Sequence, residues 1–150
     1  MRLVVQRVSR ASVRSGDELL GEIGLGALVL AGIAEGDTAD IADRLADKLV
    51  GLRYFADDEG RTNLDVLAVG GRLLVVSQFT LHADVRRGRR PGFTAAAAPE
   101  VAIPLIDRFV LRLRSTGVEV ATGRFGAETD VELVNAGPFT LVLDSDRDLR

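Results

Sequence analysis

The chain contains no cysteine and a single histidine, His82. The first absence excludes a disulfide framework and a thiol nucleophile. Together they leave a zinc site little but carboxylates, which zinc seldom accepts alone. A cysteine-free chain is compatible with a reducing compartment. Long apolar runs are missing too. The longest, Gly24 to Ala34, falls short of the roughly 20 residues that a membrane-spanning helix needs. The opening Met1-Arg2-Leu3-Val4-Val5-Gln6-Arg7 breaks its apolar stretch too early for a secretory signal. An excess of positive charge is also absent, for 19 Lys and Arg face 22 Asp and Glu, a net charge of −3. Contact with nucleic acid therefore requires a local basic patch. No repeat, low-complexity tract or linker interrupts the 150 residues. At 47% hydrophobic and 27% charged residues the composition excludes a disordered chain. Residues 1–150 are read as a single domain with its own core, soluble and cytoplasmic, with no metal or cofactor.

What is present reads as alternating strands and helices. Leu3–Val13 is rich in Val and predicts a strand. Ser15-Gly16-Asp17-Glu18 is a turn signal, and Leu19–Ile23 returns as a hairpin partner. Ala27–Ile33 is a short continuous apolar run, the mark of a buried strand. Gly36-Asp37-Thr38 supplies a helix N-cap. Beyond it Ile41, Leu45, Leu49 and Leu52 recur at helical spacing, with Asp40, Asp43, Arg44, Asp47 and Lys48 on the other face. Asp57-Asp58-Glu59-Gly60 is a turn, and Arg72–Leu81 reads as a strand. A second helix lies between Pro99 and Thr116, marked by Leu105, Phe109, Val110 and Leu113; Pro104 kinks it or sits in its first turn, and Gly117 suits its C-cap. Val118–Thr122, Val131–Val134 and Phe139–Leu143 complete the strands. The charged tail from Asp144 to Arg150 reads as loose. Many strands with two main helices at wide intervals predict an α+β fold built on a largely antiparallel, barrel-like sheet.

Four stretches carry chemistry. Ser77-Gln78-Phe79-Thr80 ends an apolar strand in polar residues. The simplest account is a strand leaving the core for water. If the strand continues, Ser77 and His82 fall on opposite faces, which opposes a triad of Ser77, His82 and Asp84. Thr80 and His82 share a face, so spacing alone permits a Thr nucleophile with a His base. Arg86-Arg87-Gly88-Arg89-Arg90-Pro91 gathers four arginines in one loop. Guanidinium forks match phosphate oxygens, although a solvated loop in an acidic chain looks the same. Asn135-Ala136-Gly137-Pro138-Phe139-Thr140 lies between two strand-like runs. A Gly-Pro pair there is most simply a hairpin turn.

Taken together these residues resemble the D-aminoacyl-tRNA deacylases of the DTD type, nearly end to end. The likeness runs through Val5-Gln6-Arg7-Val8, Gly21-Glu22-Ile23-Gly24, Ser77-Gln78-Phe79-Thr80-Leu81, Arg90-Pro91 with Phe93, Thr122-Gly123-Arg124-Phe125-Gly126-Ala127, and Asn135, Gly137-Pro138 and Thr140. The resemblance implies a DTD-like fold. It implies that Ser77, Gln78, Phe79 and Thr80 line the pocket for the 3′-terminal adenosine and the scissile ester, with Phe125 beside the substrate. It further implies a homodimer in which a cis Gly137-Pro138 peptide enters the partner's pocket, holds the substrate's amino group and excludes an L side chain. Glycine, lacking that side chain, is then also accepted. Three positions depart from the family pattern: Ala136 where Asp is usual, Phe139 where a small aliphatic residue is usual, and Thr129 where Met is expected.

An ester of tRNA is already an activated acyl group, so modest catalysis suffices, and precise positioning can supply it. Either Thr80 attacks the carbonyl, or the site positions water and the tRNA 2′-hydroxyl assists; the second is preferred, with N–H groups around Phe79 facing the oxyanion and Gln78 orienting the ester or water. Arg7, with its rigid fork, is the group expected to brace the Gly137-Pro138 loop. Arg86, Arg87, Arg89 and Arg90 are expected to contact tRNA phosphates. The competing reading is a non-catalytic RNA-binding dimer built on the same arginine loop.

Overall fold

The computed structural model describes residues 1–150. In chain order the elements are β1 (Arg2–Ser15), β2 (Glu18–Ile23), β3 (Gly26–Gly32), α1 (Ala39–Gly51), β4 (Phe55–Ala56), β5 (Thr62–Leu64), β6 (Arg72–Ser77), a 3₁₀ turn (Phe79–His82), α2 (Pro99–Ser115), β7 (Glu119–Thr122), β8 (Asp130–Asp144) and α3 (Ser145–Asp148). No helix is long and apolar enough to cross a membrane.

The long strand β1 organises the sheet. Its first half pairs with β3 and its second half with β2, both antiparallel, while β8 runs antiparallel along its other edge. The sheet then continues through β6 and β7, each parallel to its neighbour. Parallel pairs need long crossovers. The segments carrying α1 and α2 supply them, so the expected antiparallel sheet with two main helices gains two parallel joints. Strands in such a position are covered on both faces and read as continuous apolar runs. Ala27, Val29, Ala31, Leu73 and Val75 face the helices. Their neighbours Leu28, Leu74 and Val76 join Val8, Ala11, Val13 and Ile23 in a second core on the opposite face.

Strand β1 serves both cores. Leu3 and Val5 belong to the first, yet Ala11 and Val13, of the same parity, belong to the second. A one-residue shift exchanges the faces of a strand, and register shifts on either side of Val8 provide it. Past that point the sheet curls until β2 meets β7. A Cβ on Gly21 would lie 2.8 Å from the Thr122 carbonyl oxygen, so only glycine lets the barrel-like wall close here.

The two helices pack over the first core. Thr38 caps α1 by accepting from the Ile41 N–H at 3.4 Å, and Ala42, Leu45, Ala46, Leu49 and Val50 are buried. Pro99 opens α2, Pro104 lies inside it, and Ala102, Phe109, Val110 and Leu113 face the core. Arg108 forks onto Asp43 and Arg112 onto Asp47, with bonds of 2.5 to 2.9 Å. Both partners advance by four residues together, so α1 and α2 run parallel, side by side.

The structure corrects three sequence expectations. The strand predicted for Arg72–Leu81 stops at Ser77, which removes the alternation argued for Gln78 to His82. The Gly137-Pro138 segment is not a hairpin turn, because the residues on either side of it pair with the same edge of β1 and belong to one strand. The tail is not loose. Asp144 caps the short α3, buried Ser145 donates its N–H to the Met1 carbonyl at 2.9 Å, and Arg2 pairs with Asp144. Charge alone suggested solvent; pairing of that charge with β1 and α3 fixed the tail instead.

Candidate active site

Ser77 ends β6 and Gln78 begins the chain's exit from the sheet. The Gln78 N–H still donates to the Ala31 carbonyl at 2.8 Å, so the exit is anchored to β3. From Phe79 to His82 the backbone winds into a single 3₁₀ turn. The opening N–H groups of such a turn have no partner inside it. The Gln78 side-chain amide donates to the Thr80 hydroxyl. Gly32 permits this fold-back, since a Cβ there would sit 2.9 Å from the Gln78 carbonyl oxygen. Ser77 and Gln78 are half-buried, whereas Phe79 and Thr80 are exposed.

Ser77 opens onto a cleft of about 390 Å³. One wall is the end of β6, another is Thr122 at the end of β7 with the segment that follows it to Phe125, and the third is α2 with Val110 and Arg114. The structure therefore brings Ser77 and Phe125 together; Gln78, Phe79 and Thr80 follow Ser77 directly but do not line the cleft. Three charged residues that sequence reasoning missed also border it: Asp107, Arg114 and Arg124. Arg114 donates to the Val120 carbonyl at 3.0 Å. Arg124 forks onto Glu18 at 2.7 and 3.2 Å and holds that carboxyl below its ordinary range. On α2, Asp107 and Arg114 look like any solvated helix face, and only the fold turns them toward Ser77.

The histidine-based readings fail on geometry. The Nε2 of His82 bonds the Gly32 carbonyl at 3.0 Å, not the Thr80 hydroxyl. Asp84 is occupied by the Arg86 fork at 2.9 and 2.7 Å, which keeps its carboxyl well below the usual carboxylate range. Neither residue bonds Ser77.

The Gly137-Pro138 segment is an excursion within β8. Gln6 pairs with Thr140 and Val8 with Asn135, so Arg7 alone faces the four residues Ala136 to Phe139. The Gly137-Pro138 peptide is cis, as the resemblance implies, and both residues are exposed. Asn135 closes the neck: its side-chain oxygen accepts from the Phe139 N–H and its amide donates to Thr140, both at 3.0 Å. Arg7 fills the space beneath. Its Nε donates to the Ala136 carbonyl at 2.9 Å and a terminal nitrogen to the Tyr54 carbonyl at 2.8 Å. Its guanidinium carbon lies 4.8 Å from the Phe139 ring centre, and that ring stacks on Tyr54 with centroids 6.4 Å apart. Gly137 has φ of +134°, a backbone that L side chains rarely adopt, and a Cβ there would fall 2.5 Å from Arg7. Tyr54 is buried with its hydroxyl unpartnered, and burial raises its pKa.

The arginine loop is closed at its base by Asp84 and Gly92, which exchange backbone bonds of 2.7 and 2.8 Å. Arg86 is committed to Asp84. Arg87, Arg89 and Arg90 are exposed and form no salt bridge. The loop thus offers three free guanidinium groups where the sequence shows four.

Comparison with known proteins places this arrangement. The chain belongs to the D-Tyr-tRNA(Tyr) deacylase family, whose model it matches over residues 4–144. It is 60% identical over 145 residues to the D-aminoacyl-tRNA deacylase of Roseiflexus sp. (strain RS-1), covering 97% of this chain and 94% of that relative. It is 58% identical over 147 residues to the D-aminoacyl-tRNA deacylase of Chlorobaculum parvum, covering 97% and 98%. Among solved structures, the c-Myc DNA Unwinding Element Binding Protein superposes with a TM-score of 0.90 at 38% identity, covering 96% of this chain and 98% of the other. A probable eukaryotic D-amino acid tRNA deacylase superposes at 0.82 with 20% identity over 95% and 97%, a likeness of fold.

Proposed function

We propose that this chain, acting as one domain over residues 1–150, hydrolyses the ester between a D-amino acid and the 3′ end of tRNA. The products are the free D-amino acid and tRNA, and the role is chiral proofreading in the cytoplasm, where aminoacylated tRNA is made and used. The observation that carries the reading is the Gly137-Pro138 excursion clamped on Arg7. An enzyme that rejects a side chain of one hand needs a wall that cannot swing aside. Backbone held by a two-point fork meets that need better than a rotamer.

The excursion adds nothing to the walls of its own cleft. We assign it to the cleft of a second copy, so that a homodimer carries two shared sites. There its carbonyl groups receive the substrate's amino group, and its backbone occupies the space of an L side chain. Glycine offers nothing to reject and is accepted. The terminal adenosine lies in the cleft of Ser77 and Phe125, and Gln78 orients the ester or water.

Water attacks the ester carbonyl carbon, the carbonyl oxygen takes up the negative charge, and the ribose 3′ oxygen leaves with a proton. The N–H groups at the start of the 3₁₀ turn, around Phe79, stabilise the oxyanion. The neighbouring ribose 2′-hydroxyl helps to move the proton. Thr80 is not the nucleophile in this scheme: its hydroxyl already accepts from Gln78, and no His, Asp or Glu bonds it. Orientation of this kind supplies roughly 7–11 kcal/mol in the best model systems.

The test is release of amino acid from D-tyrosyl-, L-tyrosyl- and glycyl-tRNA at matched concentrations, with the mass of the protein measured by sedimentation. Hydrolysis of the D and glycyl esters with the L ester spared, by a dimer, is expected. Tight tRNA binding with no hydrolysis of the D ester would replace this reading with the non-catalytic RNA-binding one.

A further inference from the structure

Phe79 and Phe93 are large aromatic side chains left 54% and 38% exposed. They are separated in sequence by the whole arginine loop, yet their ring centroids lie 5.1 Å apart at 72°, an edge-to-face pair. The pairing of Asp84 with Gly92 explains the meeting. It closes the loop at its base and returns the chain beside the 3₁₀ turn, so that Phe93, the next residue, reaches Phe79. In an edge-to-face pair the ring that presents its edge keeps both of its faces clear of the other. The tip of the same loop carries Arg87, Arg89 and Arg90, exposed and without acidic partners. An occupant laid against this pair would take apolar ring surface out of water. Here the surroundings name its chemistry, because flat aromatic faces beside free guanidinium groups suit unpaired nucleobases on a charged backbone.

We propose that Phe79 and Phe93 form a stacking platform for an unpaired base of the single-stranded 3′ end of the RNA, while Arg87, Arg89 and Arg90 hold the phosphates leading to it. This rests on the reading that tRNA is the substrate and adds which part of it is gripped. The terminal nucleoside occupies the cleft at Ser77, two residues before Phe79. The platform therefore takes the nucleotide that precedes it. From base to tip the loop spans four residues, at most about 13 Å of chain, which sets the arginines one or two phosphates further back. Recognition by stacking is indifferent to base identity and demands that the base be unpaired. A duplex of the same length, with its bases buried in their own stack, cannot use the platform and retains only the charge contacts.

The experiment is fluorescence anisotropy with a labelled, uncharged oligoribonucleotide ending in CCA, single-stranded or made blunt by a complementary strand. The proteins are the parent, Phe93→Leu, Phe93→Trp and the triple Arg87→Gln, Arg89→Gln, Arg90→Gln variant, each checked by its thermal midpoint. Phe93→Leu is expected to weaken single-strand binding by about 5- to 150-fold, the measure of one base on one aromatic ring. Duplex binding and the salt slope should stay unchanged, and Phe93→Trp should retain or tighten binding. The arginine variant should flatten the salt slope for both ligands. Equal single-strand affinity for Phe93→Leu and parent overturns the platform. So does a loss of self-association in Phe93→Leu without loss of RNA affinity, which would make the pair a contact between subunits. If the parent cleaves D-tyrosyl-tRNA while Phe93 proves irrelevant, the platform fails and the deacylase reading stands; Phe93-dependent binding without cleavage is the reverse.

Discussion

Replacing Arg7 is the most direct way to ask whether the excursion of β8 sets chirality. Its guanidinium donates to the Ala136 and Tyr54 carbonyls at 2.9 and 2.8 Å. A hydrogen bond from a charged donor contributes about 1.5–3 kcal/mol, and the contact with the Phe139 ring about 0.5–1 kcal/mol more. Ordering a side chain as long as Arg costs up to about 2 kcal/mol, and Arg7 is only half-buried. The two bonds and the ring contact together come to about 3.5–7 kcal/mol, and the ordering cost and the solvent exposure of a half-buried group reduce this to a net hold on the loop of about 2–4 kcal/mol. If that energy keeps the wall in place against an L side chain, Arg7→Ala lowers the ratio of D to L hydrolysis by roughly 30- to 1,000-fold, since each 1.4 kcal/mol is a factor of ten. Arg7→Lys keeps the charge and reaches one carbonyl, so its ratio falls between the two. The assay is kcat/KM for D- and L-tyrosyl-tRNA, with the thermal midpoint of each variant as a control on folding. An Arg7→Ala protein that folds, cleaves the D ester and still spares the L ester to the parental degree would show that the wall does not depend on this clamp.

Other expectations follow from the same geometry. Thr80→Ala should retain much of the parental kcat, because the hydroxyl is an acceptor for Gln78 and not a nucleophile; an acyl-threonine trapped on the parent would reverse this. Arg86→Gln should change KM for tRNA less than Arg87→Gln, Arg89→Gln or Arg90→Gln, since Arg86 is already bound to Asp84; a ranking with Arg86 foremost would mean that the pair opens for RNA. Phe139→Val should cost no more than about fivefold in D/L discrimination, the worth of one cation–aromatic contact of about 0.5–1 kcal/mol, and a collapse of selectivity would give the ring a larger role. Tyr54→Phe removes a buried hydroxyl without a partner, whose desolvation costs about 1–3 kcal/mol. Its thermal midpoint should rise by a few degrees. Burial raises the folded-state pKa of Tyr54, so the parent's share of stability from this group is complete below about pH 10 and is lost as pH rises through the folded value. The Phe variant should lack that alkaline limb.

The sequence announces those features that repeat. Val and Leu in β1, the two-sided apolar run of β3 and the helical stripe from Ala42 to Val50 carry their periodicity openly. What it conceals lies where backbone meets backbone. The end of β6 at Ser77 is set by Gly32 opposite Gln78, a contact between residues far apart in the chain. The Gly137-Pro138 excursion resembles a hairpin turn until both flanks are seen to pair with one edge of β1. Tyr54 reaches Arg7 through a carbonyl oxygen that every residue possesses, so no side-chain signal could mark it. Ser77 to Thr80, Gly137 and Pro138 were legible as candidates through family resemblance, and Arg7 through its rigid fork. Asp107 and Arg114 were not, because their surroundings are decided by how α2 lies against β6 and β7.

That placement of α2 has a thermal consequence. The helix forms one wall of the cleft, and it is tied to α1 by the Asp43–Arg108 and Asp47–Arg112 forks. Ion pairs at a surface are weak near room temperature. The cost of desolvating their charges falls on heating, whereas the gain from apolar burial levels off. Salt acts the other way and screens them. The ties between this wall and α1 therefore hold better in heat and worse in salt. On the proposed reading of the arginine loop, added salt would act on substrate capture twice, once by screening the loop and once by weakening the ties of the wall behind Ser77.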